Sequence, residues 1–262
     1  MKKSILLLVL LIGELFATSK MEYEINFIGM KMDYKEYGQS GRLLDSETSS
    51  FSDIAGSEFI YRYFLDESSF IDLDFLGVSG NSDYTGSYIG SNLGYGSVVS
   101  STANTIYDAA LAYNKLNTTS FENIQVLGAL GIGYRFWERQ LSSTQIETYT
   151  WYSLRARVGV VYAMNKRFTF SVLGEYQYGI NPTMTATGFS SDFELGSANI
   201  VQISIPLRYK ISERIDIDCV YVFSRQDIQE SNRIYDNSGT AYYEPDSTAY
   251  NQYLKVGIIF KY

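Results

Sequence analysis

Charged side chains in this sequence stand at every second position of segments that are otherwise apolar. Asp72 and Asp74 are separated by one residue, and so are Arg155 and Arg157. Two neighbouring carboxylates could act as general acid and base, and clustered arginines could form a cationic constriction for small solutes. The candidate residues are Asp72, Asp74, Asp108, Arg135, Arg155, Arg157, Glu175, Arg208, Lys210, Asp216, Asp218, Lys255, Lys261, Glu22 and Glu24.

Histidine and cysteine, which carry much of catalysis and metal binding, are almost absent. The 262 residues contain no histidine and one cysteine, Cys219. The lack of imidazole excludes Ser/His/Asp and Cys/His catalysis and zinc sites with histidine ligands. A single thiol also excludes an intrachain disulfide and a thiolate zinc site. We therefore expect neither a metal nor a cofactor.

The composition is that of a folded chain with many aromatic side chains. It is 45% hydrophobic and 19% charged, with 24 Tyr and 15 Phe. Disorder is therefore not expected. The net charge of −8 comes without any block of basic residues, so we expect no nucleic acid partner.

Residues 1–17 have the pattern of a secretory signal peptide. Lys2 and Lys3 precede an apolar run from Ile5 to Ile12, and small residues follow near Ala17. The alternative is an uncleaved membrane helix, but Glu14 interrupts an apolar run that is already too short. Cleavage near Ala17 leaves residues 18–262 as one exported domain with a net charge of −9.

Beyond the leader, apolar and polar side chains alternate with the period of two that is typical of β-strands. Val126, Leu130 and Ile132 face one side of such a segment, while Gln125 and Arg135 face the other. Ten segments show the pattern, at 23–32, 58–65, 71–75, 106–116, 123–136, 152–162, 168–178, 201–210, 215–223 and 250–262. The alternation breaks near Lys31, where we expect a bulge or the membrane rim.

The connections between these segments alternate in length. Short ones lie at 66–69, 117–120, 164–166 and 211–213, and long ones at 38–55, 80–104, 138–146, 181–197 and 226–249. We predict an all-β fold: a closed antiparallel transmembrane β-barrel of about ten strands, with short periplasmic turns and five longer extracellular loops. Aromatic residues mark both ends of the apolar face, as in the girdles of outer-membrane barrels. A secreted soluble sandwich is the alternative, but it does not explain the charges on the opposite face.

The last strand ends in Lys255, Gly257, Phe260 and Tyr262 at the spacing K-x-G-x-x-F-x-Y. This pattern resembles the C-terminal insertion signal of Gram-negative outer-membrane barrels. The resemblance implies recognition by the barrel-assembly machinery and residence in the cell outer membrane, in contact with its lipid and lipopolysaccharide. The strand count and the five loops also resemble the ten-stranded omptin proteases. Omptins use a histidine at the extracellular rim, and this sequence has none.

The inward charges predict three alternative roles for the lumen. They could form a salt-bridge network that holds the barrel shut, a constriction of Arg135, Arg155 and Arg157, or a paired-carboxylate enzyme at Asp72 and Asp74. Neighbouring strands favour pairs of Arg208 and Lys210 with Asp216 and Asp218, and of Lys261 with Glu22 and Glu24. We favour a non-enzymatic structural or surface protein, adhesin-like or antigen-like, over a narrow channel and over a His-independent rim hydrolase. The extracellular ligand is unknown.

Overall fold

The computed structural model describes residues 21–87, 94–235 and 239–262 as β-strands and their connections. The predicted signal peptide, residues 1–17, lies outside the described residues and stays a prediction. Within the three described ranges, no helix is long and apolar enough to cross a membrane.

The strands run in chain order and differ greatly in length. They are β1 (Met21–Tyr37), β2 (Leu43–Thr48), β3 (Ile54–Phe64), β4 (Ser69–Gly86), β5 (Val98–Thr118), β6 (Ile124–Gln140), β7 (Ile146–Ala163), β8 (Phe168–Ala186), β9 (Phe193–Glu194), β10 (Ala198–Lys210), β11 (Ile215–Ile228), β12 (Ile234–Tyr235), β13 (Ala241–Tyr242) and β14 (Asp246–Lys261).

Ten antiparallel strands close into a barrel. β14 pairs with β1 from Glu22 opposite Lys261 to Tyr37 opposite Asp246, so the sheet has no free edge at this seam. β2 and β3 both pair with β1 and β4 and together act as one wall strand, interrupted between Thr48 and Ile54. The short strands β9, β12 and β13 lie outside the set of ten. The prediction of a closed ten-stranded barrel is confirmed.

The outer face of the wall is apolar and exposed. Phe27 and Leu130 are each 71% exposed, and Tyr107, Leu154 and Val158 also face outward with more than half of their surface free. Exposed apolar side chains on a closed sheet are stable in lipid, where every backbone polar group is already paired within the wall. Cys219 is exposed on the same face.

The strands extend further toward the long-loop end than the sequence predicts. β4 and β5 stay paired as far as Gly86 and Val98, so most of the predicted loop 80–104 is strand. Near Lys31, where the sequence predicts a bulge or the membrane rim, β1 pairs with β14 without a break. On its other side the pairing changes from β3 at Met30 to β2 at Asp33, and a register shift follows between Glu36 and Tyr37. The alternation weakens at Lys31 because lumen-facing Met30 and Met32 are apolar and completely buried.

Candidate functional site in the barrel lumen

The half of the lumen next to the short turns is a polar chamber of about 450 Å³. Its walls carry the inward-facing side chains of the barrel strands, which alternate with the lipid-facing ones. All of the charged residues selected from the sequence line this chamber: Glu22, Glu24, Asp72, Asp74, Asp108, Arg135, Arg155, Arg157, Glu175, Arg208, Lys210, Asp216, Asp218, Lys255 and Lys261.

Most of these charges form ion pairs across the wall and the lumen. Arg62 bridges Glu22 and Asp72 through its Nη1 and Nε atoms, at 2.7 Å and 2.9 Å. Asp108 accepts from Arg135 at 3.3 Å and from Arg155 at 2.7 Å. Charge-assisted hydrogen bonds of this length satisfy groups that are withdrawn from water. The arginines of the predicted constriction therefore do not form a bare cationic ring.

Three further pairs belong to the network. Arg157 Nη2 lies 2.6 Å from Glu175 Oε2 on the neighbouring strand, and Lys255 Nζ lies 2.5 Å from Glu58 Oε1. Lys261 binds Asp216. Glu58 and Arg62 were not among the candidates chosen from the sequence, although both face inward on the alternating segment 58–65.

Three predicted partnerships are different in the structure. Lys261 binds Asp216 rather than Glu22 or Glu24. Arg208 reaches Glu22 and Glu24 at 3.5 Å and 3.7 Å, rather than the aspartates beside it on β11. Lys210 binds Glu213 in the adjoining turn at 2.7 Å. Strand stagger is the reason: register places Arg208 beside Asp218 on the backbone, but a long side chain can reach across the lumen to a carboxylate on β1.

A layer of apolar side chains closes the chamber on its long-loop side. Trp137 follows Arg135 by two residues on β6, and Trp151 stands two residues before Ser153 on β7; both indoles are 1% exposed. They belong to one buried cluster with inward-facing residues of the other strands: Met30, Met32, Ile54, Val78, Ile106, Ile200, Val220 and Val222. We call these ten residues the apolar layer. These ten described residues are at most 8% exposed, so side chains occupy the lumen at this level.

Beyond the apolar layer, a completely buried arginine gathers carboxylates from three strands. Arg139 contacts Glu36 at 2.7 Å, Glu47 at 2.7 Å and Glu147 at 2.8 Å. Its guanidinium also lies 4.3 Å from the centre of the Tyr34 ring. We call Arg139, Tyr34, Glu36, Glu47, Glu147, Tyr149 and Glu244 the Arg139 cluster.

The Arg139 cluster is joined to the loops above it. Tyr149 donates its hydroxyl hydrogen to Glu244 Oε1 at 2.5 Å, and the backbone N–H of Glu244 donates to Ser231 Oγ at 2.8 Å. Asn232 N–H donates in turn to the carbonyl of Glu194 at 2.9 Å. Residues 187–197, 229–235 and 239–245 thus bind each other at this end of the lumen, and we call them the loop cap.

The Arg139 cluster contains more carboxyl groups than cations, and burial raises the pKa of two of these carboxyl groups. Burial raises the pKa of Glu147 to about 7, against the opposing effect of Arg139. Burial also raises the pKa of Glu244, and nearby Glu36 and Glu147 raise it further. The desolvated charged form is disfavoured in both cases. These strand ends lie beyond the lipid belt, because Glu138, Thr148 and Thr150 replace apolar residues on the outer face.

The sequence analysis missed the Arg139 cluster because it placed Glu47, Arg139 and Glu244 in long loops. It also left Tyr34, Glu36, Glu147 and Tyr149 outside the predicted strands. The sequence does continue the strand pattern past Phe136. Trp137 and Arg139 occupy the inward positions, and Glu138 and Gln140 occupy the outward ones, so the period of two is kept. Because both faces become polar there, the alternation no longer shows as apolar against polar.

The residues of the predicted insertion signal are distributed over both faces of β14. Lys255 faces the chamber, whereas Phe260 pairs with Tyr23 and Ile215 on neighbouring strands at the short-turn end. Gly257 lies between Asn26 and Asp218, and a Cβ atom there would come 1.8 Å from Asn26 Oδ1. Among residues 21–87, 94–235 and 239–262, no group of three or more His, Cys, Asp or Glu side chains could hold a metal ion.

The wall of ten strands has a counterpart among solved structures. The outer membrane protease OmpT from Escherichia coli superimposes with a TM-score of 0.58 at 10% identity, covering 93% of this chain and 97% of that chain. This chain has the fold of a ten-stranded outer-membrane β-barrel. Together with the apolar outer belt, the closed barrel places the protein in the outer membrane of a Gram-negative cell, as the sequence predicts.

Other outer-membrane barrels are less similar. Ail, the attachment invasion locus protein of Yersinia pestis, gives a TM-score of 0.35 at 13% identity, with 92% of this chain and 99% of that chain covered. The translocator domain of the autotransporter NalP from Neisseria meningitidis gives 0.41 at 10% identity, with 94% and 89% covered. No protein-family model and no curated protein sequence matches this chain.

Proposed function

We propose that this protein is a non-conducting, non-enzymatic surface protein of the outer membrane, whose long-loop end recognises a partner outside the cell. The observation that carries the proposal is the double closure of the lumen. The apolar layer and the Arg139 cluster lie one above the other across the barrel, and Trp137, Trp151 and Arg139 are each at most 1% exposed.

Opening a path through this closure would be costly. A passage along β6 and β7 would separate Arg139 from Glu47 and Glu147 and expose buried indole rings. Leaving one member of a buried ion pair without its partner typically costs about 3–5 kcal/mol. The closure is therefore a stable part of the barrel, which favours a structural or surface role over transport.

The distribution of charge indicates the end at which recognition occurs. The described residues within 31–53, 79–105, 138–148, 181–198 and 225–246 include six basic and fourteen acidic side chains, a net charge of −8. The other described residues include twelve basic and thirteen acidic ones, a net charge of −1. Complementary charge steers association, so a partner with net positive charge fits this end. Contact with lipid and lipopolysaccharide along the wall, and insertion by the barrel-assembly machinery, belong to the same proposal.

Planar-bilayer recordings test the closure. The purified wild type should insert without steady conductance, and Arg155→Ala, which changes the chamber but not the closure, should also be silent. Replacing Trp137 and Trp151 by Gly and Arg139 by Ala together should produce measurable openings, because both levels of the closure would then contain a gap. A steady wild-type current whose ion preference changes in Arg155→Ala would contradict the proposal.

A steady wild-type current with an ion preference that depends on Arg155 would favour the second candidate function, a narrow solute channel. The observation that supports this candidate is the polar chamber itself, which would be one vestibule of such a channel. The non-enzymatic part of the proposal is tested separately by incubating the folded protein with peptide and lipid substrates, where we expect no turnover.

A further inference from the structure

Glu244 of the loop cap is a buried carboxyl group without a cation of its own. It is 5% exposed, and among the described residues no Arg or Lys forms an ion pair with it. Arg139 is bound instead to three other carboxylates of the cluster. Arg233, the one basic residue of the loop cap, is exposed and lies over the ring of Tyr243. A carboxyl group in such surroundings favours its neutral form.

Other carboxyl groups lie close to Glu244. The Tyr149 hydroxyl is 2.5 Å from Glu244 Oε1 and 3.4 Å from Glu147 Oε2, so one hydroxyl joins the two carboxyl groups. Glu147 in turn shares Nη1 of Arg139 with Glu36. Like charges at such short separations disfavour ionisation. The titratable and charged groups around Glu244 are Tyr34 and Glu36 on β1, Glu47 on β2, Arg139 on β6, and Glu147 and Tyr149 on β7.

Glu244 also lies where the loop cap meets the barrel. Its backbone N–H donates to Ser231 Oγ at 2.8 Å, and the N–H of Ser231 donates to the carbonyl of Glu244 at 3.0 Å. The N–H of Gly196 donates to the carbonyl of Glu230 at 3.1 Å, so the two connections of the loop cap are bound to each other. Tyr149 belongs to β7, and its hydroxyl joins this unit to the wall. A charge on Glu244 therefore acts on the attachment of the whole loop cap.

We propose that Glu244 is a proton-dependent latch: its neutral carboxyl group holds the loop cap on the barrel, and its ionisation at alkaline pH releases the cap. Burial raises the pKa of Glu244, and Glu36 and Glu147 raise it further, so the attached cap holds a proton that the released segment loses. The stabilisation is fully present below pH 4.5 and is lost as the pH rises through the raised pKa. Release is independent of whether the long-loop end binds a partner.

Hydrogen–deuterium exchange on the folded, detergent-purified protein measures the release. Protection factors, corrected for the intrinsic pH dependence of amide exchange, are compared at pH 5.5 and pH 8.5. The amides of residues 229–235 and 239–245 should lose protection by about tenfold or more, because opening is linked to the loss of a proton. The amides of residues 153–160, in the wall strand β7, should keep theirs. Equal protection of the loop cap at the two pH values would overturn the proposal.

Variants then assign the effect to Glu244. Glu244→Gln keeps an acceptor for Tyr149 and cannot ionise, so the loop cap should stay protected at pH 8.5. Glu194→Gln is the matched control, because Glu194 is an exposed glutamate of the same loop cap, and it should lose protection as the wild type does. Loss of protection in Glu244→Gln equal to that of the wild type would contradict the latch.

Tyr149→Phe tests the same contact if Glu244→Gln does not fold. The variant lacks the hydroxyl that joins the loop cap to β7, so the protection of the loop cap should fall already at pH 5.5. Wild-type protection of the loop cap at pH 5.5 in this variant would also contradict the latch.

Discussion

Arg139 Nη2 donates to Glu47 Oε1 over 2.7 Å, and neither side chain has any exposed surface. The two residues are 92 positions apart in the sequence. The contact joins β6 to β2 across the end of the barrel, and Ser82 and Asn104 donate to the other oxygen of Glu47 at 2.6 Å and 3.1 Å. The long-loop end is thus held together by hydrogen bonds that water cannot reach.

Replacing Arg139 by Ala should destabilise this end strongly. Glu36, Glu47 and Glu147 would remain buried without their cation, at a cost of about 3–5 kcal/mol. Urea unfolding followed by tryptophan fluorescence measures the loss, because the two tryptophans, Trp137 and Trp151, both lie in the apolar layer.

Arg225→Ala is the matched control for that measurement. Arg225 pairs with Asp227 at 2.9 Å, but about half of its side chain is exposed. Exposed ion pairs contribute at most about 1 kcal/mol. Equal destabilisation by the two variants would show that burial of Arg139 has no special role.

The stability of the long-loop end should decrease as the pH rises from 5 to 8. Burial raises the pKa of Glu147 from 4.5 to about 7, so the folded state holds a proton that the unfolded state releases across that window. The contribution of protonated Glu147 to the free energy of unfolding is fully present below pH 4.5 and is lost as the pH approaches about 7. The free energy of unfolding should decrease by about 1–3 kcal/mol across this range.

Glu147→Gln should flatten this dependence, because the amide cannot ionise. Glu138→Gln, on the outer face of the neighbouring strand, should leave it unchanged. Unfolding free energies at pH 5 and pH 8 for the three proteins make the comparison. A wild type that becomes more stable toward pH 8 would show that ion pairing with Arg139 outweighs desolvation.

Gly257→Ala should reduce the yield of folded barrel, because its Cβ would lie 1.8 Å from Asn26 Oδ1. Gly174→Ala is the control, since a Cβ on that strand glycine meets no atom within 4 Å. The shift in electrophoretic mobility on heating measures the folded fraction. Combining Gly257→Ala with Asn26→Ala distinguishes two roles for the glycine: recovery would indicate a need for space, whereas continued failure would indicate recognition of the C-terminal strand during insertion.

The two ends of the barrel should differ in accessibility on intact cells. In a Cys219→Ser background, Ser143→Cys in the connection between β6 and β7 should react with a membrane-impermeant maleimide. Asn165→Cys, in the short turn between β7 and β8, should react only after the outer membrane is permeabilised. Reaction of Asn165→Cys on intact cells would show that the short turns, and not the long loops, face the outside of the cell.

Local alternation along the chain is sufficient to predict the barrel and its two faces. Residues such as Leu130, Ile132 and Arg135 indicate their side of the sheet through local alternation, and strand pairing follows from chain order in an antiparallel wall. The inward charges of the chamber could be identified for the same reason.

Which charges meet, and whether the lumen is open, depends on contacts between residues that are distant in the chain. Arg208 pairs with Glu22 rather than Asp218, and Arg139 pairs with Glu47 over a separation of 92 residues, because barrel stagger and the reach of long side chains set these contacts. The apolar layer has the same origin: Met30, Trp137 and Val222 lie far apart in the sequence, and closure of the sheet brings their inward faces together. Local periodicity carries no information about such distances.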